Sequence, residues 1–152
     1  MAKRRKLEVS LLKLTTEQFF ISEHLLPAYK NSEIAMNNSI QLGIDISLSM
    51  LACLFRFEAT KDDKELLVIE TGAHFKAEKK DFGKLLNKKG KTFTIPLETA
   101  KIMLVVAIGA ARGILHAKTE GTEINGITIP LIDPDSVLEE DVIIHFTEEE
   151  EE

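Results

Sequence analysis

Ten apolar residues in a row, Ile102 through Ala111, with Lys101 before them and Arg112 after, constrain this chain more than any other stretch. A membrane-crossing helix needs about 20 such residues, so the run alone is too short to span and reads as the centre of a buried helix. Extended outwards, it predicts a helix over Leu97 to Lys118. Val105, Gly109, Gly113 and Ala117 recur at every fourth residue along it. On a helix that spacing stacks side chains on one face, and residues this small let a sheet or a second helix approach closely. These four are the candidate helix-packing and oligomer-interface residues. A helix that is apolar almost all round has to be covered on more than one side. In a chain of 152 residues the second cover is expected from another subunit.

That length favours one domain over residues 1–152 with a sizeable core. Hydrophobic residues make up 44% and charged residues 29%, which indicates a soluble globular chain rather than a disordered one. Trp is absent and aromatics are few, which argues against a platform for stacking sugars or bases. The one cysteine, Cys53, excludes an internal disulfide and a cysteine-rich zinc site. It lies in an apolar run and reads as a small buried hydrophobe. Residues 1–6 are basic but lack the apolar core and cleavage site of a signal peptide, so a cytoplasmic protein is expected. The net charge of −6 is unevenly spread: Lys3 to Lys6 form a basic arm, and an acidic tail covers about 147–152. Four charges without interleaved aromatics, on an acidic chain, read as a solvated terminus rather than a nucleic-acid contact.

Strands dominate before the helix. Leu7, Val9 and Leu11 alternate with Glu8 and Ser10, as in a short strand, whereas Phe19, Phe20, Ile21, Leu25 and Leu26 fit neither period. Pro27 to Ser39 is mostly polar and reads as a connection. Ile40, Leu42, Ile44, Ile46, Leu48 and Met50 then keep a strict period of two against polar neighbours. At Met50-Leu51 the phase flips, which predicts a bulge or a break. Leu51 to Ala77 reads as a hairpin turning at Lys61 to Lys64. Glu78 to Lys91 is lysine-rich, with Phe82, Leu85 and Leu86 its only large apolar residues, and is expected to be a loop or one turn of surface helix. Thr92 to Pro96 is extended, an Asn125-Gly126 turn follows the helix, and Val142 to Phe146 supplies a last short element. Strands followed by a helix predict an α+β fold: an antiparallel sheet with the helix on one face.

No catalytic constellation emerges. The four histidines, His24, His74, His116 and His145, are far apart and none share metal-ligand spacing. His116 suits the carbonyl end of the helix. Gly109 and Gly113 lie inside the helix, without the Lys and Ser/Thr of a phosphate loop. No catalytic residue, metal or cofactor is expected, and binding is favoured over an enzyme. The supply of apolar residues exceeds what one sheet and one helix can cover, which points to a face shared with a partner or a client.

Three features together resemble the SecB preprotein-chaperone family. The hairpin Leu51 to Ala77 carries Gly72-Ala73-His74-Phe75 near its end. The helix Leu97 to Lys118 has an arginine, Arg112, in its second half. Gly121-Thr122-Glu123-Ile124-Asn125-Gly126-Ile127-Thr128-Ile129-Pro130-Leu131-Ile132-Asp133 is similar to the family's Gly-Thr, alternation, then Pro-apolar-Asn/Asp. The resemblance covers residues 40 to 134. It implies a four-stranded antiparallel sheet with helices on one face, a dimer of dimers, and ATP-independent holding of unfolded polypeptides in apolar grooves. The family's groove-lining strand matches Ile40, Leu42 and Ile44, the candidate client-binding residues. The acidic and leucine residues with which the family docks the translocation motor ATPase SecA fall near Leu66 and Val68, and the acid is missing. The second helix is shortened and residues 78–91 are an addition. The resemblance thus implies an oligomeric holdase without membrane insertion. Its rival is an adaptor for one specific partner, for example in a toxin-antitoxin system.

Overall fold

The computed structural model describes residues 6–25 and 34–147. Residues 1–5, which include most of the basic arm, Leu26 with the first part of the 27–39 connection (to residue 33), and the glutamates after Thr147 lie outside the described residues. Four strands, β1 (Val9–Ile21), β2 (Ala35–Asp45), β3 (Met50–Lys61) and β4 (Lys64–Ala77), form one antiparallel sheet in the order β1-β4-β3-β2. Helix α1 (Lys79–Lys84) leads into β5 (Leu86–Asn87) and β6 (Thr92–Ile95). The long helix α2 (Leu97–Thr119) follows. A 3-10 turn (Glu123–Gly126), α3 (Pro134–Val137) and β7 (Val142–His145) complete the chain. This is the expected α+β architecture.

The β3–β4 hairpin is the sheet's centre. Asp62 and Asp63 both take left-handed φ angles, 53° and 64°, the paired conformation of a two-residue hairpin turn. Alternation divides the faces: Leu51, Cys53, Phe55, Phe57 and Ala59 are buried beneath α2, while Arg56 and Glu58 point away. Register carries the buried face into β4 through Leu67, Ile69, Thr71, Ala73 and Phe75. Gly72 has a steric reason: a Cβ there would sit 2.5 Å from Thr15 Oγ1 and 2.9 Å from His74 Nε2.

The phase flip near residue 50 is a turn rather than a bulge. β2 stops at Asp45, Ser49 turns with φ 53°, and Ile44 pairs with Leu51 on the same face. β2 also begins earlier than expected, so residues 35–39 are strand and not connection. The segment with no clear period, Thr15 to Ile21, is strand too. Register shifts between Leu11 and Lys13 and between Thr16 and Gln18 break β1's alternation twice, and each extra residue swaps the face that follows.

Helix α2 rests on β3 and β4. Its buried apolar residues are Ala100, Met103, Leu104, Ala107, Ile108, Ala111 and Leu115. The alanines, all fully buried, allow the close approach to the sheet, and Thr71 Oγ1 donates to the Ala107 carbonyl at 3.2 Å across that seam. Of the two covers open to the small-residue face, the sheet is not the one: Val105, Gly109, Gly113 and Ala117 face away from it. Val105 is 53% exposed, and a Cβ at Gly109 or Gly113 would meet nothing within 4 Å. The helix is also longer than its apolar run. At 23 residues it meets the length and composition of a membrane span, but one side is committed to the sheet.

Distant groups finish the helix. Asp141 Oδ1 accepts from Leu97 N–H at 2.8 Å and caps the start of α2 from 44 residues away. Thr99 Oγ1 both accepts from Leu7 N–H and donates to the Leu7 carbonyl, pinning the start of the described chain. Arg112 donates to the carbonyls of Ile129 and Pro130 and so ties the Pro130 segment to the helix. Lys101 meets Asp135 at 2.7 Å, and this contact raises its pKa.

Strands β5, β6 and β7 make a second, three-stranded sheet that the sequence reading lacks. Leu86, Phe93 and Ile144 align across it, as do Ile95 and Val142. The residues beyond 134, expected to hold one short element, supply both α3 and β7.

Candidate polypeptide-binding surface

Strand β2 forms one edge of the large sheet. Ile40, Leu42 and Ile44 pair with Phe55, Cys53 and Leu51, so all three lie on the helix side. Each is half-buried and packs against the core. Because α2 sits over β3 and β4, β2 is left at the margin of the helical layer. β7 packs beside it, with Val142 and Ile144 half-buried against the same core. The expected client-binding residues therefore come together as an apolar ledge between a sheet edge and a short strand.

Ile46, the next apolar residue after β2, is half-buried and continues onto the same core. It lines an open cleft of about 670 Å³, with Ser49, Phe82 and Leu86 and with Lys79, Lys88 and Lys89. α1 and the β5–β6 turn build its far wall. Phe82 is buried against Phe93, with ring centroids 4.3 Å apart, and Asn87 Oδ1 accepts from Gly90 N–H at 3.0 Å to fix the turn. The sequence predicts a lysine-rich loop or one turn of surface helix here; the helix is α1, and the wall it makes with β5 is what the sequence reading lacks. Its signal was the trio Phe82, Leu85 and Leu86, which a purely solvated loop does not need.

The four small residues of α2 form a separate surface. Ile102 and Val105 are exposed beside Gly109, Gly113 and Ala117, giving an uncovered apolar stripe along the outer side of the helix. β1 is another uncovered place, with Leu11, Leu12, Leu14 and Phe20 exposed along the opposite sheet edge. Leu66 and Val68 are fully buried, so these two positions present no side chain for a motor to dock on.

Titratable chemistry is sparse at these surfaces. Cys53 is fully buried, and burial pushes its thiol up to about 12, away from nucleophilic use. His74 lies 3.1 Å from Thr15 Oγ1 and 3.9 Å from Glu17 on the face away from α2. His116 is exposed at the end of α2, near Glu120, and its carbonyl accepts from Asn125. Among the described residues no three His, Cys, Asp or Glu side chains gather as they would around a metal ion.

No known protein family's sequence pattern and no curated protein matches this chain. Its backbone does match a solved structure: the SecB-like chaperone of Mycobacterium tuberculosis in complex with a ChAD peptide from the HigA1 antitoxin. The TM-score is 0.52 at 8% sequence identity, covering 82% of this chain and 91% of that one. At that identity the likeness establishes the fold alone. The protein has a SecB-like fold.

Proposed function

We propose that the protein is an oligomeric, nucleotide-independent holdase that binds extended polypeptide segments along the β2 ledge. The observation that carries this reading is the row Ile40, Leu42 and Ile44 on an edge strand beyond the helix cover. Side chains two residues apart on one face suit an extended apolar segment laid alongside. Apolar burial is worth ~25 cal/mol per Å², and ordering an unfolded client offsets much of it. Micromolar, loosely selective binding results, which suits a protein that must release. A second copy of the chain is the proposed cover for the outer stripe of α2. A second reading, an adaptor for one partner, draws support from the structural neighbour, whose bound peptide comes from an antitoxin.

The test compares the unchanged protein with Leu42→Ser plus Ile44→Ser. Suppression of aggregation of several unrelated unfolded proteins, without ATP, is expected from the former. The double variant is expected to stay folded with a lowered Tm and to bind unfolded chains at least about tenfold more weakly, the loss of one or two half-buried apolar contacts. Unchanged client affinity in the folded variant would remove the ledge from the function. Activity toward a single partner only would select the adaptor.

A further inference from the structure

We propose that the cleft at the end of the β2 ledge is a basic subsite, so that the preferred partner is an extended peptide whose apolar run is followed by carboxylates. This inference rests on the polypeptide-binding reading and specifies the partner. Ile46 joins the two halves: it follows the β2 stripe directly and lines the cleft. Beyond it, Phe82 and Leu86 give an apolar wall, and Lys79, Lys88 and Lys89 surround it.

Charge complementarity identifies the occupant. Residues 78–91 hold six lysines against two acids, in a chain whose net charge is −6. Of the nearby acids, Asp81 meets Lys84 at 3.8 Å and Asp45 accepts from Ser47 and from Leu48 N–H, while Glu78 is exposed and makes no ion pair with these lysines. Lys79, Lys88 and Lys89 pair with no acidic side chain among the described residues. Lys101, by contrast, is held by both Glu98 and Asp135. Three unpaired ammonium groups beside apolar surface attract an anion more than they would in open water, because a bound peptide excludes solvent on one side. The Asn87–Gly90 hydrogen bond holds the turn that bears Lys88 and Lys89, so little order is lost on binding. An apolar peptide with basic flanks would meet repulsion here.

The experiment uses two labelled peptides with the same alternating Leu/Val run, one ending in three glutamates and the other in three glutamines. They are titrated against the intact protein at low and high salt. The glutamate peptide is expected to bind roughly tenfold tighter at low salt, from three partly exposed charge pairs, and to lose that advantage at high salt. Lys79→Gln, Lys88→Gln and Lys89→Gln combined should abolish the preference while leaving the affinity for the glutamine peptide unchanged. Lys88→Glu with Lys89→Glu should make the glutamate peptide the weaker ligand, an independent readout should the triple variant be poorly folded. Equal binding of both peptides to the unchanged protein would overturn the basic subsite and leave the β2 ledge standing. Failure of both peptides to bind would overturn the polypeptide-binding reading itself. A glutamate preference that emerges only once residues 148–152 are deleted would make the chain's own glutamates the occupant and overturn the assignment to a partner.

Discussion

The two sides of α2 have nearly the same chemistry and opposite fates. The inner side carries Ala100, Met103, Leu104, Ala107, Ile108, Ala111 and Leu115, all buried on β3 and β4. The outer side carries Ile102, Val105, Gly109, Gly113 and Ala117, open in the single chain. Both have small residues at helical spacing and both are apolar. What separates them is volume: the inner side alternates alanine with Met, Leu and Ile, filling the space above Phe55 and Phe57. The outer side pairs glycine with β-branched residues and presents a shallow surface. A large-and-small inner side makes a core, while a glycine-lined outer side suits a neighbour of similar shape.

Removing volume from each side separates them most strongly. Leu104→Ala on the inner side is expected to cost about 2–5 kcal/mol in urea unfolding, through lost burial and the cavity left behind. A cost under about 1 kcal/mol would mean that the inner side is not the core. Adding volume to the outer side should do the reverse. A Cβ at Gly109 would meet nothing in the single chain, so the fold should survive Gly109→Leu, while association through that face should weaken by about 1–3 kcal/mol from overpacking. Light scattering at micromolar concentration is expected to show a dimer or tetramer for the unchanged protein and a smaller species for the variant. Identical masses would exclude this face as the contact between copies.

The same contrast explains what could be read from the sequence. The β3–β4 hairpin was legible because alternation from Leu51 to Ala59 is unbroken and Asp62-Asp63 is turn chemistry. The β2 stripe was legible for the same reason, and Ile40, Leu42 and Ile44 do share a face. The helix was legible as an element but not in orientation. Val105, Gly109, Gly113 and Ala117 stood out at regular spacing, yet an all-round apolar helix gives no polar side from which to infer the buried one. β1 was hidden by its two register shifts. The small sheet was hidden by shortness and distance: β5 has two residues, and β6 pairs with β7 across the whole of α2. The basic cleft was half-visible, as lysines without an address, because only the turn of α1 and β5 brings Lys79, Lys88 and Lys89 around Ile46.

Cys53 reports on the dryness of the inner side. It lies on the β3 face beneath α2, and burial lifts its pKa from an ordinary 9.0 to about 12. Below pH 9 the thiol is protonated in folded and unfolded chains alike and contributes nothing to pH dependence. Between about 9 and 12 only the unfolded chain releases the proton. Stability should therefore fall as pH rises through that window, by up to about 1.4 kcal/mol per pH unit from this group. Cys53→Ala should be offset in stability but lack that slope. Parallel curves for the two proteins, or rapid alkylation of the native thiol at pH 8, would show water reaching the inner side.

The smallest expected effect is the most discriminating for the outer side. Glycine within a helix costs about 1 kcal/mol relative to alanine, because the unfolded chain gives up more freedom. Gly113 sits mid-helix and has open space where a Cβ would go. In a solvent-facing helix, Gly113→Ala should therefore stabilise the protein by about 0.5–1 kcal/mol. If a second copy packs on this face, the added methyl lies in the contact and the gain shrinks or reverses as copies assemble. The measurement is a pair of urea curves, one well below the association midpoint and one well above it. Stabilisation at low concentration that fades at high concentration is expected from a glycine kept for close approach between copies. A gain that is the same at both concentrations would mean that Gly113 is merely tolerated, and the covering of α2 would have to be sought at Ile102 and Val105 instead.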